Sequence, residues 1–265
     1  MKSFSGKTVL ITGAAGGLGR EYIRQLLMDG AKLVLTDMDE DKIKSSIEEV
    51  KMERPDAAGS VKAVLGADIS TKEGCTALYQ RYKEVAKTPD LVIHNAGIIN
   101  YGYFHEIPAD KWEQLISVNL LGPMRLTHLF LPDMVERGSG HIAFMDSVAG
   151  FVATSYAVPY STSKFGIRGF GMALSGDLKE HGISVTIIYP FYVATDLLKS
   201  PGYGNAKVGK LSANLTEPPR RVIRQALSGI KKGKLHVYPG LYSKGAWQLV
   251  KLFPMVAKQG RKFSS

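Results

Sequence analysis

Seven short, β-rich apolar runs punctuate the 265 residues, and longer amphipathic stretches separate most of them. The runs are TVLITG (8–13), KLVLTD (32–37), KAVLGAD (62–68), LVIHNAG (91–97), HIAFMDS (141–147), SVTIIYP (184–190) and LHVYPG (235–240). They lack the polar alternation of a sheet with one wet face, so each predicts a strand covered on both sides. The stretches between them, such as LGREYIRQLLMDG with its closing glycine, predict helices. Strand and helix in turn imply right-handed crossovers, because parallel neighbours cannot be joined by a tight turn. The fold class is therefore α/β, a doubly wound sheet of about seven mostly parallel strands with helices on both faces.

A chain of this length suits one such unit, and residues 1–265 read as a single domain without internal repeats. The pattern lapses over FYVATDLLKSPGYGNAKVGKLSANLT, residues 191–216. A loop that long after the sixth strand, at the carboxyl end where open sheets bind ligands, predicts a substrate lid. One cysteine, Cys75, excludes an internal disulfide and reads as a packed thiol in a reducing compartment. The N-terminal apolar run is too short for a signal peptide, and no run approaches a bilayer span, so a cytoplasmic protein is expected. Charge is uneven: 34 basic and 24 acidic residues overall, but eleven basic and no acidic ones after Glu217. Within the basic segment, 218–265, residues 241–262 mix aromatic and aliphatic residues with lysines; they read as a solvated or packed C-terminal helix broken by Pro254, with peripheral contact to an anionic membrane as the functional alternative. Attraction of an acidic substrate, such as an acyl carrier, is a third use of the charge. No nucleic-acid motif accompanies it, and neither nucleic acid nor a metal is expected.

TGAAGGLGR (12–20) follows the first strand and opens a helix. Glycines at such a turn let backbone approach a pyrophosphate, which then meets free N–H groups at the helix N-terminus. The spacing is Gly13-x-x-x-Gly17-x-Gly19, with Leu18 between the last two, rather than the common G-x-G-x-x-G. Such turns also occur for packing alone; read as a phosphate site, this one predicts a Rossmann-type fold and a dinucleotide cofactor. Asp37 ends the second strand, 18 residues after Gly19, where a carboxylate accepts from the adenosine ribose and repels a 2′-phosphate. The DMDEDK that it begins offers no cation before Lys42, so NAD is expected over NADP.

TGAAGGLG, NAG (95–97), VN (118–119), Ser147 and YSTSK (160–164) occur in order. Together they resemble the short-chain dehydrogenase/reductase family across roughly residues 5–240. Gly13, Gly16 and Gly19 also fit the glycine spacing of the family's longer, extended members, but the short chain and Ser147 lying 13 residues before Tyr160 favour the shorter type. The resemblance implies a catalytic set of Asn119, Ser147, Tyr160 and Lys164. It implies cofactor contacts from Asp68 and Ile69 beside adenine, from Asn95, Ala96 and Gly97, from Tyr160 and Lys164, and from Pro190, Val193 and Thr195 beside the carboxamide. His94 stands where the family usually has asparagine and reads as a structural variant. Phe191 replaces a usual glycine, which favours an apolar wall over close backbone approach.

The chemistry can be argued from the side chains themselves. Hydride transfer at an alcohol carbon needs a group that takes or gives the hydroxyl proton. A free tyrosine ionises near pH 10, and lowering that by about three units requires roughly 4 kcal/mol in favour of the phenolate. Lys164 lies four residues after Tyr160, on the same helical face, and nearby cations cause such shifts. Pro159 favours the first helical turn, which makes Tyr160 helical and leaves Tyr156 in the preceding loop, a candidate pocket wall. Ser147, at the end of the fifth strand, is suited to hold the substrate oxygen. Pro123 cannot donate to residue i−4, so the Asn119 carbonyl is left free; in the family resembled, that carbonyl holds a water beside the lysine.

These observations predict an NAD-dependent oxidoreductase for a secondary alcohol or ketone. The apolar start of the lid favours a lipophilic substrate of steroid, retinoid or acyl type. The alternative is a non-catalytic NAD-binding regulatory or membrane-surface protein on the same fold. The resemblance also implies a homodimer or homotetramer joined by the helices around 110–136 and 160–180.

Overall fold

The computed structural model describes residues 1–205 and 216–253. Its strands are β1 (Thr8–Thr12), β2 (Lys32–Asp37), β3 (Ser60–Gly66), β4 (Leu91–His94), β5 (Gly140–Met145), β6 (Ile183–Ile188) and β7 (His236–Val237). Its helices are α1 (Gly17–Met28), α2 (Glu40–Glu53), α3 (Lys72–Val85), α4 (Ala109–Ile116), α5 (Gly122–Arg137), α6 (Val158–Asp177), α7 (Pro219–Lys231) and α8 (Gly240–Leu252). The strands form one sheet in the order β3-β2-β1-β4-β5-β6-β7. Every pairing is parallel. Strand order reverses between β1 and β4, which opens a crevice at their carboxyl ends.

Successive side chains of a strand point to opposite faces, and β1 shows how this divides the core. Val9 and Ile11 enter a layer with Tyr22, Ile23 and Leu26 of α1, Ile43 and Ile47 of α2, and Val222 and Ile223 of α7. Leu10 enters the other layer, with Leu78 and Tyr82 of α3, Leu126 and Phe130 of α5, and Ile167 of α6. All three β1 side chains are fully buried, each contributing about 1.5–3 kcal/mol. Cys75 lies in the second layer, its thiol pushed up to about 11 by burial, as suits a packing residue.

Two strands stop three residues before the ends of the runs that predict them. The run LVIHNAG stops being strand at His94, because the backbone N–H groups of Asn95 and Ala96 turn to the Thr12 hydroxyl, both at 3.2 Å. The run LHVYPG pairs only through His236 and Val237, because Pro239 has no N–H to offer and Gly240, at φ +81°, starts α8. Between α4 and α5 the helix continues as a π turn over Ser117–Leu121. Pro123 follows directly and cannot donate to the Asn119 carbonyl, so the ladder widens there. Among the described residues no helix is long and apolar enough to cross a membrane.

Candidate active site

A cleft of about 290 Å³ lies over the carboxyl ends of β1–β4. The loop from β1 to α1 forms its floor. Gly13 there has φ +69°, and a Cβ on it would fall 2.6 Å from Ala96 Cα, so the turn passes the β4 loop only as glycine. Gly16 caps α1 without a side-chain hydrogen bond, and the first turn carries no acid. The helix therefore presents free N–H groups and a positive dipole end to the cleft. Gly17 is tight too, though less so, since a Cβ there would lie 2.9 Å from the Thr195 Cγ2 methyl.

Of the cofactor residues expected from sequence, the cleft is lined by Gly13, Gly17, Leu18, Asp37, Asp68, Ile69, Asn95, Ala96, Gly97 and Thr195. Asp37 accepts from Ala15 N at 3.0 Å and from Met38 N at 2.8 Å, which fixes its carboxylate at the β2 end. Asn95 donates to Gly13 O at 2.9 Å, while its Oδ1 is buried without a partner. The uncapped helix, the glycine floor and this orphaned oxygen fit a phosphate-bearing dinucleotide. Gly19 is not among the lining residues; it packs against the backbone of Gly13 and Ala14. Pro190 and Val193 also lie off the lining: the Pro190 carbonyl accepts from Val148 N, and Val193 bridges to Glu217.

The proposed catalytic residues converge beside this cleft, from β5, α6 and the π turn. α6 begins at Val158 with Pro159 in its first turn, so Tyr160 and Lys164 share a face. Lys164 Nζ stands 5.5 Å from the Tyr160 ring centre and donates to Met145 O at 2.7 Å. Ser147 follows β5; its Oγ accepts from Ala149 N at 3.1 Å, and its hydroxyl also meets that of Tyr160. Burial drives Tyr160 well above the ordinary phenol range, and the Ser147 contact only partly opposes this. Burial pulls Lys164 below the ordinary lysine range, against the field of Asp146. Asn119 is buried and clamps the β4 loop: its Oδ1 accepts from Ile98 N at 2.8 Å and its Nδ2 donates to Ile98 O at 2.9 Å. The same Nδ2 donates to Ser163 Oγ at 3.2 Å, tying the π turn to α6. Gly97 lies at the junction, where a Cβ would sit 3.4 Å from Asn119 Oδ1 and 3.8 Å from Lys164 Nζ.

A family model described as short chain dehydrogenase matches residues 7–203. The chain belongs to the short chain dehydrogenase family. Within it, the chain is 29% identical over 244 residues to probable oxidoreductase EphD of Mycobacterium tuberculosis. That match covers 87% of this chain but only 40% of the relative, so the chain spans well under half of EphD. It is 32% identical over 194 residues to uncharacterized oxidoreductase YvaG of Bacillus subtilis, covering 73% of this chain and 71% of that one. Among solved structures, a short-chain dehydrogenase from Sphingobium yanoikuyae in complex with NADPH superposes with a TM-score of 0.80 at 25% identity, covering 98% of both chains.

Several features of this dehydrogenase-family site escaped the sequence reading. Tyr101, after β4, and Tyr192, after β6, both add to the upward push on the Tyr160 pKa. Tyr192 packs on Phe191 at 4.8 Å, and Phe191 on Tyr242 of α8 at 5.6 Å. Their one sequence signal is aromatic density after NAG and at the start of the expected lid. Tyr156 adopts φ +62°, the left-handed region, unlike every other non-glycine residue described. Its ring meets Tyr103 edge-on at 5.2 Å, in the loop before α6. The expected lid is pinned in its first part, where Tyr203 N donates to Tyr101 O at 2.7 Å; residues 206–215 lie outside the described set. His94 packs behind the cleft. It stacks on Phe144 at 5.1 Å, bonds Thr127 Oγ1 at 3.0 Å, and burial holds its pKa down to about 3. Asp146, also missed, is buried between β5 and Ser147.

Proposed function

We propose that the chain transfers a hydride between NAD(H) and a lipophilic secondary alcohol or ketone. The observation that carries this reading is the meeting of the Ser147 and Tyr160 hydroxyls, with Lys164 at the tyrosine ring, beside a glycine-floored cleft. A bound nicotinamide dinucleotide supplies or accepts the hydride. Gly13, Gly17 and Leu18 would hold its pyrophosphate at the α1 N-terminus, and Asp37 its adenosine ribose. The relative from Sphingobium yanoikuyae was solved with NADPH; here Asp37 at the β2 end favours NAD, by repulsion of a 2′-phosphate.

The protein's own part is the proton. In reduction of a ketone, Ser147 donates to the carbonyl oxygen and Tyr160 gives up its O–H proton to it. In the other direction Tyr160 takes the alcohol's proton, with Ser147 holding the same oxygen. Burial keeps Tyr160 protonated, so the donor role comes readily and the acceptor role needs positive charge nearby. Lys164 provides that charge. Asn119 keeps the β4 loop and α6 in register, so that Lys164 and Tyr160 stay aimed at the cleft. Tyr101, Tyr192, Phe191 and Tyr156 form the aromatic surroundings that suit a lipophilic substrate of steroid, retinoid or acyl type.

A cofactor-coupled screen over steroid, retinoid, sugar and acyl alcohols tests the reading. Turnover should fall with Tyr160→Phe while dinucleotide binding persists; a protein that reduces or oxidises no such compound ends it. Assembly and location complete the proposal. Exposed Met124 of α5 and Phe165 and Met172 of α6 suit a homodimer or homotetramer in the cytoplasm, checked by sedimentation velocity. Exposed Leu241, Leu249 and Leu252 of α8, flanked by Lys244 and Lys251, suit peripheral contact with an anionic membrane. Co-sedimentation with anionic but not zwitterionic vesicles is the expected result.

A further inference from the structure

Asp146 is 3% exposed, and neither carboxylate oxygen is held by a hydrogen bond of normal geometry. Its backbone N–H is fixed to Ile188 O at 2.8 Å, and its side chain fills the space that a Cβ on Gly150 would need. A carboxylate placed so is costly unless charge compensates it. Burial raises the pKa of its carboxyl, and two cations of α6 oppose that rise, Lys164 and, one turn on, Arg168. Both are anchored on carbonyls that bracket the acid. Lys164 donates to Met145 O at 2.7 Å, and Arg168 donates to Gly150 O at 3.4 Å while lying 5.5 Å from the Trp247 ring centre. The other titratable groups around it are the phenols of Tyr160 on α6, Tyr189 after β6 and Tyr238 after β7. His236 of β7 feels Arg168 and bonds Tyr189 Oη at 2.9 Å.

Tyr160, Lys164 and Arg168 thus form a row at successive turns of one helix, with Asp146 opposite. We propose that Asp146 is a positioning residue of the reaction, the counter-charge that lets Lys164 remain an ammonium beside Tyr160. Arg168 cannot give up its proton. Without the carboxylate, buried Lys164 and half-buried Arg168 would stand together, and the one able to neutralise itself is Lys164. Tyr160 would then lose the positive neighbour that its acceptor role needs. This inference rests on the reading of Tyr160 as the proton-transfer group.

Asp146→Asn keeps the shape and removes the charge. Alcohol oxidation followed from about pH 6 to pH 10 should show the alkaline limb of kcat moved down by about one unit. That lowers kcat about tenfold near pH 9, with KM for the alcohol changed less than about twofold. A profile superimposable on that of the unaltered protein overturns the proposal, since a side chain that merely fills space would leave the limb where it was. A second measurement does not depend on the variant folding. In the unaltered protein, carbon-detected NMR of labelled aspartate and lysine should show Asp146 ionised and Lys164 protonated through the pH range of turnover. An Asp146 carboxyl still protonated there overturns the proposal too. If no alcohol is turned over by the unaltered protein, the proposed function fails, and the NMR titration still decides whether Asp146 holds Lys164 charged.

Discussion

The cleft over β1–β4 and the corner between β5 and α6 adjoin, yet they are made of different material. The cleft is mainly backbone: glycines that permit close approach, an uncapped helix end, one fixed carboxylate. The corner is mainly ionisable side chains, buried Lys164 and Asp146 beside half-buried Tyr160 and Arg168. Binding a dinucleotide calls for shape and N–H groups that water does not fill. Moving a proton calls for charges whose cost of burial has been offset, so that a small change in one alters another. Substitutions in the cleft should therefore act through space and affinity, and substitutions in the corner through rate and pH.

The largest expected effect is in the corner. Tyr160→Phe should lower turnover about a thousandfold, while dinucleotide affinity, followed by titration calorimetry, stays within a few-fold. Loss of binding as well would erase the distinction between the two regions. His94 sits behind both and tests burial alone. Its folded pKa is depressed to about 3 by burial, and the unfolded value is about 6.5. Its contribution to stability is thus complete above about pH 6.5 and is lost as pH falls from there towards 3, on the order of 5 kcal/mol in all. His94→Asn should flatten the acid limb of Tm against pH. Some slope should remain from His141, which burial depresses to about 4.

In the cleft, Gly13→Ala forces a Cβ to 2.6 Å from Ala96 Cα at a positive φ. A stability loss of about 2–3 kcal/mol and weaker dinucleotide binding are expected, read by thermal melts with and without NAD. An unchanged melt would mean that the β4 loop yields. The smallest effect belongs to Asp37→Asn, which should shift preference towards NADP by about tenfold through removal of one negative charge. Titrations with both dinucleotides measure it, and an unaltered protein that already prefers NADP would refute the role given to Asp37.

The strand runs made the sheet legible before any coordinates, because a strand buried on both faces must be apolar throughout, and seven such runs leave little choice of architecture. The family membership was legible for a related reason. Glycine at 13, proline at 159 and lysine four residues after Tyr160 each answer a local steric or helical requirement that spacing records. Pro159 separates Tyr160 from Tyr156, and the structure has α6 starting at Val158 and Tyr156 in the loop with φ +62°. Strand ends were less legible, since Asn95 leaves the sheet for a hydroxyl on a different strand.

What remained hidden depends on residues far apart in the chain. Asp146 looks in sequence like a polar strand end, but it packs against Gly150, where burial raises its pKa and two α6 cations oppose the rise. Tyr101 and Tyr192, 91 positions apart, both act on Tyr160 only because the β4 and β6 loops fold over the same strand ends. Asn119 was marked by Pro123 for its carbonyl, whereas its side chain also proves to stitch the β4 loop to α6. By itself the sequence determined the fold, the glycine floor and the tyrosine–lysine pair, because periodicity and local sterics are written in neighbouring residues. Only the tertiary structure decided how charge is balanced around that pair, because burial and electric fields belong to atoms that the chain brings together from a distance.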